Sequence, residues 1–317
     1  MLLSPAAMHI PDGFLSVWVS VVCWILSILA IGYALRRLGK DLDERQVPMM
    51  GVVAAAIFAG QMLNFAVAGG TSGHLLGATL ATVLLGPWAA VVVMTCVVGI
   101  QALIFQDGGL LALGANMFNM AVIGVFVAYT VYQAVQKLAK GKIWGIFVGG
   151  FAAAWLSIEI AALAAGLQLA ASGTSPANIA VPAMAGIHAL IGIGEGLITV
   201  GALAFINATR PDLVKKGERG VVHGKLVWIV GLVLALALAI ASPLASSHPD
   251  GLEWVAQQKG FLSAAQGSVY KILPNYVLPG ISNQSLATIL AGVVGVILVF
   301  GVAFGVAYSR RKRQAKG

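Results

Sequence analysis

The chain has 317 residues, 59% of them hydrophobic and only 9% charged, with a formal net charge of +8. Soluble domains are about a quarter charged, so a chain this apolar cannot cover a water-facing surface, and much of its exterior has to meet lipid. The basic residues sit in short clusters between apolar runs, which reads as orientation signal and headgroup contact and argues against nucleic-acid binding.

A bilayer core takes about 20 apolar residues per helix. In chain order the apolar stretches predict nine spans, over 14–35, 48–68, 74–86, 87–106, 109–135, 143–171, 180–207, 225–244 and 286–308. The first stretch follows no basic segment and is too long for the apolar core of a secretion signal. The third is short and is broken from the fourth at Gly86-Pro87. Cys23 and Cys96 lie inside apolar runs and read as packing residues, not as a disulfide. The 39 glycines suit close helix–helix approach.

Positive charge tests this layout. If the first span runs inward, the cytoplasmic segments are 36–47, the turn at 86–87, 136–142, 208–225 and the tail after 308. Every Lys and Arg except Lys259 and Lys271 then falls on the cytoplasmic side, as the positive-inside rule requires. The N-terminus is expected outside and the C-terminus inside. The fold class is therefore an all-α polytopic membrane protein: seven helices over 8–207, a charged cytoplasmic linker over 208–224, and a two-helix module over 225–317 with a long outer loop.

The histidines are the candidate metal donors. His9 precedes the first span and His74 lies where the second and third spans meet, so the topology brings both to the outer face. Imidazole suits nickel, cobalt, zinc and copper. Two histidines alone are a weak signal, and spacing by itself favours a pair of interfacial histidines bonded to backbone or water. His9 directly follows Met8. A chain starting at Met8 offers an amine, the His9 amide nitrogen and the His9 ring as fused chelate donors, and a second imidazole completes a planar four-nitrogen set that favours Ni(II) or Cu(II). Met8 is the expected start; with Met1 to Ala7 retained, the Met8 nitrogen is an amide and a weaker donor.

His188 and Glu195 stand seven apart, on one helical face two turns apart. They read either as a hydrogen-bonded pair supporting the site or its gating, or as a structural pair joining helices; Glu159 is a further intramembrane carboxylate. Gln106-Asp107-Gly108-Gly109 reads as an outer polar turn, with Asp107 able to attract cations. His223 reads as solvated linker. His248-Pro249-Asp250-Gly251-Leu252-Glu253-Trp254 reads as a turn and an amphipathic interfacial helix anchored by Trp254, with scavenging of metal by His248, Asp250 and Glu253 as the other reading.

No phosphate-binding Gly-x-x-x-x-Gly-Lys-Ser/Thr motif occurs, so energy for active transport has to come from a partner or a gradient. A gradient-driven divalent-cation carrier or channel using Glu159 and Glu195 is the alternative function. An intramembrane metalloprotease would need His-Glu-x-x-His, which does not occur.

Met8-His9-Ile10-Pro11-Asp12-Gly13-Phe14-Leu15-Ser16 resembles the N-terminal signature of the substrate-binding (S) components of energy-coupling-factor cobalt and nickel transporters, the CbiM/NikM family. The resemblance continues through Gln61-Met62-Leu63-Asn64-Phe65, Gly70-Thr71-Ser72-Gly73-His74-Leu75, Phe105 to Gly109, Gly114-Ala115-Asn116 and His188 to Glu195. The segment Pro249-Asp250-Gly251-Leu252-Glu253 resembles the PDGLE (NikN-type) accessory domain. The resemblance implies a seven-helix S component and an N-terminus plugged into the bundle. It also implies transported Ni2+ or Co2+ held by Met8, His9 and His74, with no tightly bound cofactor. Asn64, Ser72, His188 and Glu195 are the expected supporting polar residues. The implied partners are a transmembrane T component and two cytoplasmic ATPases, in the cell (inner) membrane. The planar nitrogen set and the NikN-like tail lean toward nickel.

Overall fold

The structure is a computed structural model describing residues 8–214 and 224–314. The element order is α1 (Val17–Asp41), α2 (Gln46–Gln61), β1 (Phe65–Val67), β2 (Thr71–Gly73), α3 (Ala78–Leu85), α4 (Pro87–Phe105), α5 (Leu113–Met117), α6 (Gly124–Ala139), α7 (Trp144–Ala171), α8 (Ala177–Thr209), α9 (Gly224–Ala241), α10 (Gly251–Lys259) and α11 (Gln284–Gln314), with short 3-10 turns between some of them. Among the described residues, six helices are long and apolar enough to cross a membrane, and 46–61 and 228–244 are shorter apolar helices. The chain is a multi-pass membrane protein.

Helix α2 is apolar on every side, as a helix surrounded by others has to be. Met50, Ala54, Ala55, Phe58 and Ala59 along it are fully buried. It packs against α4, α9 and α11. Glycines set the close approach. A Cβ at Gly295 on α11 would lie 2.1 Å from the Phe58 ring, and one at Gly231 on α9 would lie 2.3 Å from Val52. Small residues are what let helix backbones meet inside lipid. At the rim, Val17, Trp18, Val21, Ile25, Ile28 and Leu29 of α1 are exposed, the face that lipid covers. Cys23 and Cys96 are buried free thiols. An ion pair at 2.9 Å between Glu44 and Arg311 places the α1–α2 loop and the far end of α11 at one end of the bundle.

Three expected spans depart from plain helices. The second ends at Gln61, and its expected remainder becomes an antiparallel hairpin, β1 with β2, turning through Gly69 and Gly70 at positive φ. The fifth is α5 and α6 joined by a π-helical stretch, Phe118–Ile123. The third is helical only over Ala78–Leu85, eight residues and about 12 Å, too short to cross a bilayer. Its first part, 74–77, is non-helical backbone inside the bundle, tolerated only where protein satisfies every N–H and C=O. Glu195 does so: its carboxylate, fully buried, accepts the N–H of Leu76 at 2.7 Å and of Gly77 at 3.0 Å. The Gln61 amide donates to the Leu76 carbonyl at 3.0 Å.

Glu195→Ala orphans two buried N–H groups at a cost of about 1–3 kcal/mol each. A clear fall in the thermal unfolding midpoint of the detergent-solubilised protein is expected, with a smaller fall for Glu195→Gln, which keeps one acceptor oxygen.

Candidate metal centre

The segment 8–13 is drawn into the bundle, and Met8, His9 and Ile10 are each only 4% exposed. A strand with no sheet has to have its backbone satisfied one group at a time. The Asp107 carboxylate accepts the N–H of Met8 at 2.8 Å and of His9 at 3.2 Å through one oxygen. The Asn116 amide grips Ile10 on both sides, accepting its N–H at 3.0 Å and donating to its carbonyl at 3.1 Å. Asp12 returns the grip: its carboxylate accepts the N–H groups of Leu110 and Ala112, both at 3.0 Å, ahead of α5. Gly109 is required at this crossing, since a Cβ there would lie 2.0 Å from Asp12 Oδ1.

The hairpin delivers His74 to the same place. The His9 and His74 rings stand 5.7 Å apart, edge to face at 78°. His9 Nδ1 lies 3.2 Å from Asp107 Oδ1 but without the alignment of a hydrogen bond, and neither ring nitrogen of His9 has a hydrogen-bond partner. A buried imidazole with both nitrogens unsatisfied is a costly arrangement that an incoming ligand or ion relieves. His74 Nδ1 is 2.9 Å from Asp250 Oδ1. His188 Nδ1 is 2.8 Å from the Met184 carbonyl, which can only accept, so this nitrogen carries the proton and Nε2 keeps its lone pair. Met8, His9, His74, His188 and Asp250 line one cavity of about 80 Å³, floored by apolar side chains of α7 and α8 such as Ile158 and Ile191.

Electrostatics follow from these contacts. Burial disfavours ionised Asp107, but His9 beside it and the hydrogen bonds from Tyr276 and the Met8 N–H outweigh burial and bring its carboxyl down to about 2. Side chains alone do not make a metal cage here. Among the described residues no three His, Cys, Asp or Glu side chains converge as ligands.

Of the expected site residues, the structure gathers Met8, His9, His74 and His188. Asn64 is buried with both amide atoms unpartnered, away from the cavity lining, while its carbonyl accepts the Ser246 N–H. Ser72 turns to the His248 and Pro249 carbonyls. His188 and Glu195 share a helix face but do not bond each other; each has its own backbone partner, because the side chains reach sideways to different neighbours. Glu159 on α7 keeps one buried, unpartnered oxygen. His223 and Met1–Ala7 lie outside the described residues. Sequence reasoning gave Asp107 a polar turn able to attract cations and placed Asn116 only within the family resemblance; it missed Tyr276 and the part Asp250 plays. The Gly108-Gly109 pair beside Asp107 was the signal available, since two glycines mark a place where another backbone comes close.

Residues 9–213 match the family model described as the cobalt uptake substrate-specific transmembrane region, and residues 225–312 match that of the PDGLE domain. The fused NikMN protein of Archaeoglobus fulgidus is 39% identical over 97% of this chain and all of its own length. The fused nickel transport protein NikMN of Rhodobacter capsulatus is 30% identical over 92% of this chain and 95% of its own. The cobalt transport protein CbiM of Sorangium cellulosum is 32% identical over 65% of this chain and 92% of its own. A crystal structure of a truncated transition metal transporter covers 64% of this chain and 99% of its own, with a TM-score of 0.57 at 37% identity. The chain thus belongs to the CbiM family, fused to a PDGLE domain, and is a metal-transport protein of the membrane.

Proposed function

We propose that this chain is the metal-capturing S component of an energy-coupling-factor importer for Ni2+ or Co2+, with nickel favoured. The observation that carries this reading is the buried His9 ring with two unsatisfied nitrogens, edge-on to His74. The donors are the backbone nitrogens of Met8 and His9, the His9 ring and His74. When the chain begins at Met8, the first of these is an amine. Met8 N, His9 N and His9 Nδ1 all lie within 3.2 Å of the same Asp107 oxygen, so these three nitrogens are already gathered in one place. A planar set of four nitrogens suits Ni2+.

In this reading residues 8–207 form the S component, 208–224 a cytoplasmic linker and 225–317 the PDGLE module. The N-terminal segment faces outward and the tail inward. A T component and two cytoplasmic ATPases drive uptake, since no nucleotide-binding motif occurs in this chain. Glu195 is not free to serve a gradient-driven carrier, because both of its oxygens hold the 76–77 backbone.

His74→Ala is expected to weaken Ni2+ binding by more than the 10–100-fold typical of an outer-shell change, and to abolish radiolabelled nickel and cobalt uptake in cells. Unchanged uptake would refute the site. In liposomes the chain alone should not accumulate nickel under a proton or sodium gradient, whereas co-reconstitution with the T component and ATPases should give ATP-dependent uptake.

The donors have to lose protons to bind, so Ni2+ affinity should rise between about pH 6 and about pH 8. Titration calorimetry in buffers of different ionisation heat reads the protons released. Intact mass of the same sample tells whether the tight form begins at Met8.

A further inference from the structure

The PDGLE module reaches the metal centre through one residue whose conformation is unusual. Asp250 is the N-cap residue of α10, where an aspartate ordinarily turns its carboxylate back onto the first free N–H groups of its own helix. Here it makes no such cap bond. The carboxylate, 2% exposed, is aimed across at His74 Nδ1 instead, 2.9 Å away. Its backbone is clamped to the histidine loop: the Ser72 N–H donates to the Pro249 carbonyl at 2.8 Å, and the Ser72 hydroxyl donates to the His248 carbonyl at 2.8 Å. The next residue is glycine for a steric reason, since a Cβ on Gly251 would stand 2.6 Å from Ile191 and 3.2 Å from His188. The same outer loop touches the other half of the centre, where the Tyr276 hydroxyl donates to Asp107 at 2.6 Å.

We infer that Asp250 is a positioning residue for the metal: it holds the proton of His74 on Nδ1, so that the Nε2 lone pair faces the cavity, and the PDGLE module thereby completes a site whose ligands lie in the other module. This rests on the proposed role of His74 as a ligand. A metal-bound histidine commonly gives its other N–H to a carboxylate, which fixes the tautomer and ring orientation and raises donor strength. An ionised carboxylate can only accept, so the contact selects one tautomer of neutral His74.

The test uses the full-length chain in nanodiscs. Nickel affinity is measured by competition with a chelator, and the His74 tautomer is read from long-range nitrogen–proton NMR of the metal-free, histidine-labelled protein. In the unmodified chain His74 is expected as the Nδ1–H form. Asp250→Ala should weaken nickel binding 10–100-fold and release His74 to a mixture of tautomers. Asp250→Asn, similar in shape and still offering an acceptor oxygen, should keep the tautomer and lose less affinity; if the alanine variant does not fold, Asp250→Ser, too short to reach Nδ1, is read in its place with the same tautomer shift and affinity loss expected. A purely structural role for Asp250 would lower the unfolding midpoint without changing the tautomer. Unchanged affinity and tautomer in the folded variants overturn the inference. If His74→Ala itself leaves nickel binding intact, the ligand assignment has failed instead.

Discussion

A backbone amide buried in lipid or in a dry protein interior has no water to turn to, and much of this structure is arranged around that constraint. The segment 74–77 leaves helical geometry inside the bundle because an α-helix there would keep its backbone bonded to itself and His74 committed to one face. Breaking the helix frees groups that have to be bonded elsewhere, and Glu195 and Gln61 supply those bonds. The buried carboxylate that invites a transport role in the sequence is thus occupied in holding the His74 loop in place. The N-terminal plug obeys the same rule through Asp107, Asn116 and Asp12.

The plug and the loop are fixed from different directions, and the long connection between α9 and α11 ties them together. It pairs its Gln266 N–H with the Asp12 carbonyl at 2.7 Å, sets the Phe261 ring against Phe14 at 5.2 Å, and runs so near Gly13 that a Cβ there would lie 2.0 Å from the Ala264 carbonyl. At the other side Trp254 Nε1 donates to the Gly69 carbonyl at 3.1 Å on the hairpin turn. The short amphipathic helix α10, with Leu252, Val255 and Ala256 buried, turns its apolar side onto the hairpin and α8.

Hydropathy and charge made the bundle legible. The long helices α1, α4, α7, α8 and α11 fall close to their expected limits because 20 or more apolar residues have little else to do in a bilayer. The breaks were harder to see. Hydropathy counts apolar residues and not hydrogen bonds, so Phe65–Val67 and 74–77 looked like continuing helix. His9 and His74 could be read as a pair from topology alone. Asp107, Asn116, Asp250 and Tyr276 could not, because each acts on a partner about 100 or more residues away, and the backbone atoms, imidazole and carboxylate they meet carry no signature of that pairing.

Glu195 also makes a mechanical linkage. It belongs to α8, which lies along α7, and it grips the backbone two and three residues after His74. The imidazole therefore travels with that helix as if bolted to it. A tilt of α8 would draw the His74 ring away from His9, whose backbone hangs from Asp107 instead, so the two imidazoles can be parted from a distance by moving a single rigid rod.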